Sequence, residues 1–199
     1  AESLLTLMAS GVEDLEGFEW FERPSPARMD EARSLLRMLG AMDEMGKLTR
    51  DGRRMSSFPL HPRYGAMMLA ADRFGCVQEM SLAAAVAQTR GLLIRKVDKS
   101  VENRRESLLG DCGNSDLIAQ MRAWSAANAK RFDIGFCKDL GIHAQSARQA
   151  SSLAEQIFGY AKYADLNLIQ EAPASEDAIV KSLLAGFPDR VCRRLDRGT

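Results

Sequence analysis

Apolar residues in this chain return every three or four positions, in one segment after another, and cap residues, prolines and glycines punctuate the segments. Such a pattern stacks helices on one another and leaves little chain for a sheet. Residues 2–9 (ESLLTLMA) read as a short apolar helix stopped by Gly11. An aromatic strap follows, Phe18-Glu19-Trp20-Phe21, and Pro24 prevents it from running on as helix. Ser25-Pro26 then opens a helix in which Met29, Ala32, Leu35, Leu36 and Leu39 share a face, with Gly40 as its stop. Ala41-Met42 and Lys47-Leu48 can pair as a minimal hairpin around a turn at 43–46. Thr49 caps the next helix, and Asp51 in its first turn suits the helix dipole. Helix, small hairpin and helix in this order suggest a winged helix.

Phe58-Pro59-Leu60-His61-Pro62 is the strongest break in the sequence. Beyond it, helices are expected from Pro62 to a stop at Gly75 and from about 78 to 89. A Ser115 cap opens another along Leu117, Ile118, Met121 and Trp124. Further helices are expected at about 134–140, from about 143 to 163, and from a Ser175 cap to about 185. Residues 90–114 read as a loop or a weakly periodic helix. The expected fold class is all-α. It comprises a strap over 1–24, a degenerate winged helix over 25–61, a helical bundle over 62–188, and a basic segment over 189–199.

Composition narrows the function. The hydrophobic share, 46%, is too high for disorder, and no apolar run approaches the length of a membrane span. Basic and acidic groups balance at 27 each, which excludes a protein that grips nucleic acid by charge density alone. The cysteines at 76, 112, 137 and 192 form no CxxC pair, and the histidines are His61 and His143. Reduced thiols in a cytoplasmic protein fit better than a zinc site or a disulfide framework. Phosphate-loop, dinucleotide-binding, zinc-protease and nucleophile-elbow patterns are all missing from the sequence. His61, between two prolines, reads as a loop or cap residue, and Asp43-Glu44 and Glu176-Asp177 as turn and first-turn residues. No catalytic or metal-binding residue is assigned. The opening Ala1-Glu2-Ser3 suggests a piece cut from a longer protein.

The charge is unevenly placed. Residues 1–22 carry six acids and no base, residues 90–105 six bases and two acids, and residues 190–197 four arginines and one acid. Basic patches of this kind can steer a phosphate backbone.

The order of signals also resembles a known family. Leu35-Leu36-Arg37-Met38-Leu39-Gly40-Ala41-Met42-Asp43 and then Gly46-Lys47-Leu48-Thr49-Arg50-Asp51-Gly52-Arg53-Arg54-Met55 resemble the L-x-x-L-G-A-x-D-x-x-G-x-L-T-x-x-G-R-x-M run of DEAH-box helicases. Phe58-Pro59-Leu60-His61-Pro62-Arg63 is similar to the segment that follows in that family, and Gly17-Phe18-Glu19-Trp20 to the strap that precedes it. His61 and the Leu183-Leu184-Ala185-Gly186-Phe187-Pro188-Asp189-Arg190-Val191 element look like the bacterial HrpB-like branch.

The resemblance implies a winged helix and a ratchet-like bundle that follow two RecA-like motor domains and precede an oligonucleotide-binding barrel. ATP and Mg would then belong to the motor domains of a parent ATP-dependent RNA helicase. This piece would need no cofactor and would hydrolyse no ATP alone. Its expected role is to guide single-stranded RNA, or DNA, past the motor. Charge and resemblance together nominate Arg90, Arg95, Lys96, Lys99, Arg104 and Arg105, and next Arg190, Arg193 and Arg194, as backbone contacts. Arg28, Arg33, Arg37, Arg53 and Arg54 are expected to face solvent or the motor domains. A protein-interaction scaffold and a winged-helix DNA-binding regulator are the competing readings. The regulator is weaker, because Met55 and two serines follow the arginines of its would-be recognition helix.

Overall fold

The computed structural model describes residues 1–110, 115–169 and 173–191. Among them the chain forms α1 (Glu2–Ala9), α2 (Pro26–Met38), α3 (Arg50–Ser56), α4 (Pro62–Phe74), α5 (Val77–Gln88) and α6 (Lys99–Leu109). After these come α7 (Asp116–Ala129), α8 (Ile134–Asp139), α9 (Ala144–Tyr163), α10 (Glu176–Gly186) and a 3-10 turn at Pro188–Arg190. The β structure among the described residues is confined to two isolated antiparallel bridges, Met42 with Leu48 and Leu93 with Ile142. The fold is all-α, as the spacing requires, and the first bridge is the expected minimal hairpin.

The cap residues act as their chemistry predicts. Ser25, Thr49, Ser115 and Ser175 each accept a hydrogen bond from a backbone N–H in the first turn of their helix. Pro26 and Pro62 open α2 and α4, where a missing N–H costs nothing. α6 is the element that the spacing did not predict as a firm helix. Its inward row is Val101, Arg105 and Leu109, so an arginine interrupts what would otherwise be an apolar i, i+4, i+8 stripe.

Two compact units form. One comprises Ala1–Met80 with the chain from Tyr160 onward, and the other is Ser81–Gly159; the division falls within α5 and α9.

In the first unit, Thr49 ties the winged helix together. Its hydroxyl donates to the Gly40 carbonyl at 2.6 Å and accepts from the Gly52 N–H at 2.9 Å, while its own N–H donates to Ala41 O at 3.0 Å. Gly52 lies so close to that Ala41 carbonyl that no β-carbon could fit between them. The L-T-x-x-G run is thus a packing requirement as well as a signature. α10 lies along α4, where Gly186 faces the Arg63 carbonyl and the Met67 side chain. Met67, Met68 and Leu69 are buried in this unit, and the Cys76 thiol meets the Ser182 hydroxyl at 3.3 Å. In the strap, Phe18 packs edge-on to Trp20, whose indole N–H donates to the Leu15 carbonyl, whereas Phe21 is wholly exposed.

The second unit closes around Val86, Leu92, Leu109, Cys137, Leu140, Ile142 and four alanines, Ala123, Ala127, Ala147 and Ala150. Ala123 and Ala127 come from α7 and Ala147 and Ala150 from α9. The Trp124 indole N–H donates to the Ala147 carbonyl at 3.1 Å and satisfies the polar end of a ring that otherwise packs on the core.

Candidate nucleic-acid interface

The second unit carries eleven basic residues against eight acidic ones, although the whole chain is neutral. Arg90 lies just beyond α5, Arg95 and Lys96 in the loop that leads to α6, Lys99 at the first position of α6, and Arg104 one turn further along it. All five are exposed, and among the described residues none of them is in an ion pair.

The loop that displays them is anchored on several sides. Leu92 is fully buried, and its N–H donates to the Gln120 side-chain oxygen at 3.0 Å. The Leu92 carbonyl accepts from the His143 N–H at 2.8 Å, and the Ile94 N–H donates to the Gly141 carbonyl at 2.9 Å. Arg105 supplies the last tie. It turns inward, its Nε donating to Leu140 O at 2.6 Å, its Nη1 to Ile94 O at 3.0 Å and its Nη2 to Gly141 O. Burial pulls its pKa down, with Glu102 pulling the other way. Of the six nominated residues in this segment, Arg105 alone is turned from solvent to backbone carbonyls.

The second nominated cluster is only partly in view. Arg190 is exposed, with Nε 3.6 Å from the Asp189 carboxylate. Arg193 and Arg194, like Cys112 and Cys192, lie outside the described residues. In the winged helix, Arg28, Arg37 and Arg53 are exposed, and Arg33 makes a 3.4 Å ion pair with Glu16. Arg54 departs from the expectation. It pairs with Asp72 at 3.0 Å and donates to the Ala164 and Asp165 carbonyls, so it fastens three parts of one unit rather than facing outward.

Sequence reasoning passed over Lys130, Arg131 and Lys138, which are exposed in the same unit as the basic segment. Only the adjacent pair Lys130-Arg131 could have flagged them. It also passed over the outward face of α9, where Gln145, Arg148, Gln149, Ser152, Leu153 and Gln156 line a shallow open depression. No helix among the described residues is long and apolar enough to cross a membrane.

Fold and charge together define a winged helix joined to a helical bundle with an exposed basic segment. Residues 32–60 match the winged-helix part of the helicase associated domain (HA2), and residues 61–138 match its ratchet-like part. The chain therefore carries the HA2 winged-helix and ratchet-like domains of a DEAH-box helicase. Two named proteins are similar to it. It is 24% identical over 195 residues to the pre-mRNA-splicing factor ATP-dependent RNA helicase prp22 of Schizosaccharomyces pombe, covering 98% of this chain and 16% of that protein. It is 28% identical over 169 residues to the pre-mRNA-splicing factor ATP-dependent RNA helicase DEAH10 of Arabidopsis thaliana, covering 77% of this chain and 24% of that protein. The chain thus spans about a sixth of the length of the first relative and about a quarter of the second.

Proposed function

We propose that this chain is the accessory region of an ATP-dependent RNA helicase and guides single-stranded RNA past the motor domains. The carrying observation is the set of exposed cations at Arg90, Arg95, Lys96, Lys99 and Arg104 on an anchored loop and helix, none of them in an ion pair among the described residues. A strand that must keep moving needs contacts that are numerous and individually weak, and phosphate–cation contacts in water have that character. Arg190, with Arg193 and Arg194, forms a second approach for the backbone. ATP and Mg act in the RecA-like motor domains of the parent, and an oligonucleotide-binding barrel completes the channel. His61 and the Phe187-Pro188-Asp189-Arg190 element support a parent of the bacterial HrpB-like branch, although both relatives named above are eukaryotic splicing helicases.

The test replaces Arg95, Lys96 and Lys99 by Gln together and titrates binding of a labelled oligouridylate against salt. Loss of three phosphate contacts should lower the salt slope by about 0.7 for each. In the parent, RNA-stimulated ATP hydrolysis should fall while basal hydrolysis persists. An unchanged slope and affinity would remove this segment from the RNA path and favour the scaffold reading.

A further inference from the structure

The geometry points to Arg105 as a positioning residue that fixes the basic segment for RNA without itself meeting a phosphate; this inference rests on the RNA-guiding role proposed above. Its guanidinium reaches carbonyls from both sides of one junction: Ile94 in the loop that displays the cations, and Leu140 and Gly141 in the turn that the loop pairs with. Arg105 belongs to α6, the helix that also carries Lys99 and Arg104. One side chain therefore joins the helix, the loop and the turn. The five-donor fork of arginine suits this task, because its N–H groups spread in one plane toward several acceptors, which a lysine ammonium cannot reproduce.

Gly141 shows how closely the junction is built. Its φ is +56°, a left-handed value that favours glycine, and a β-carbon there would run into the Arg105 guanidinium and lie 2.8 Å from Val97 Cγ1. An alanine at 141 would therefore displace Arg105, Val97 or both, without altering any charge.

The consequence for binding is entropic. Cations on a loop held in one conformation need little ordering when a strand arrives, whereas the same cations on a loosened loop must be ordered at that moment. Loss of the tie should thus weaken RNA binding while the number of neutralised phosphates stays the same. A phosphate contact behaves differently, because its loss lowers affinity and salt slope together.

The experiment measures oligouridylate affinity across a salt series for the unaltered chain and four variants: Arg105→Gln, Arg105→Lys, Gly141→Ala, and the Arg95, Lys96 and Lys99 triple Gln variant. Circular dichroism melts confirm that each variant is folded at the assay temperature, and amide exchange reads the protection of Ile94 and His143. Arg105→Gln, Arg105→Lys and Gly141→Ala should each bind roughly three- to tenfold more weakly, the range expected for ordering one or two side chains on binding. Their salt slope should be unchanged and their Ile94 and His143 protection reduced. Should Arg105→Gln prove unfolded, Gly141→Ala, with its charge intact, carries the test. A lower slope in Arg105→Gln that is restored in Arg105→Lys would make Arg105 a phosphate contact and overturn the inference. Affinity equal to that of the unaltered chain in Arg105→Lys and Gly141→Ala, with the triple variant impaired, would also overturn it and leave the RNA role standing. An unimpaired triple variant would overturn both.

Discussion

Arg63 grips both carboxylate oxygens of Asp189, at 2.6 and 2.7 Å, across 126 residues of chain. The same guanidinium donates to the Gly186 carbonyl at 2.9 Å and stands 5.2 Å from the centre of the Phe187 ring. A charge-assisted fork, a carbonyl and an aromatic face thus converge on one side chain at the start of α4. The hydrogen bonds from Arg63 hold the Asp189 carboxyl down to about 2. A carboxyl with a depressed pKa stabilises the fold above its unfolded value, and that stabilisation fades as pH falls toward the folded value. Asp189→Asn should therefore melt at lower temperature than the unaltered chain at neutral pH, and the gap should close as the buffer approaches pH 2. Arg63→Lys should fall between them, since an ammonium cannot serve both oxygens in one plane. Superimposable melts at pH 7 would show that the fork adds nothing to stability.

Gly52 gives a sharper mutational test. Its α-carbon faces the Ala41 carbonyl oxygen and the Leu48 side chain with no room for a methyl group. Gly52→Ala gains helix propensity at an interior position, worth about 1 kcal/mol, yet must push α3 away from the hairpin. Overpacking against backbone should win and destabilise the chain by about 1–3 kcal/mol in urea unfolding. A stabilised variant would mean that α3 can shift at no cost.

The two neighbouring arginines of α3 should separate cleanly. Arg53 is exposed, and Arg53→Ala should stay within about 0.5 kcal/mol of the unaltered chain. Arg54→Ala removes the donor to Asp72 Oδ2, whose Oδ1 keeps the Asn167 N–H, and to two carbonyls, and should cost about 2–3 kcal/mol. Neither substitution should alter the salt slope of RNA binding. Equal unfolding midpoints for the two variants would contradict the assignment of Arg54 as a fastener.

His61 makes one pH dependence expected. It caps α4 by accepting the Arg63 N–H at its Nδ1, 3.4 Å away, which requires the neutral ring. Burial lowers its pKa, Arg63 lowers it further, and Glu2 opposes them. The neutral form is thus favoured in the fold, so the contribution of the cap is complete above the ordinary value of 6.5 and is lost as pH falls through the folded value. His61→Asn supplies a cap that does not titrate. Melting temperatures followed from pH 7 downward should fall less steeply in that variant, and parallel curves would exclude the cap as their cause.

The elements legible in the sequence were those whose signals are local. Ser25, Thr49, Ser115 and Ser175 each announce a helix within four residues of chain, and each helix begins where they stand. α6 was obscured because Arg105 occupies an inward position, and that is also why Arg105 was grouped with the surface cations. Arg54 misled in the same way: the partners that turn it inward, Asp72 and the Ala164 and Asp165 carbonyls, lie up to 111 residues away. Charge reads as surface until the acceptors are known, and acceptors brought together by long loops leave no mark on local spacing.

The interrupted first unit has a consequence for synthesis. α4 cannot meet α10, nor Arg63 its carboxylate, until the chain has emerged as far as Asp189, whereas Ser81–Gly159 is contiguous. On a ribosome Ser81–Gly159 can therefore close before the unit that begins ahead of it. The helices before it, already outside, wait with Met67 of α4 lacking its α10 cover. Chaperone dependence of this chain should then track the appearance of α10 rather than of α1.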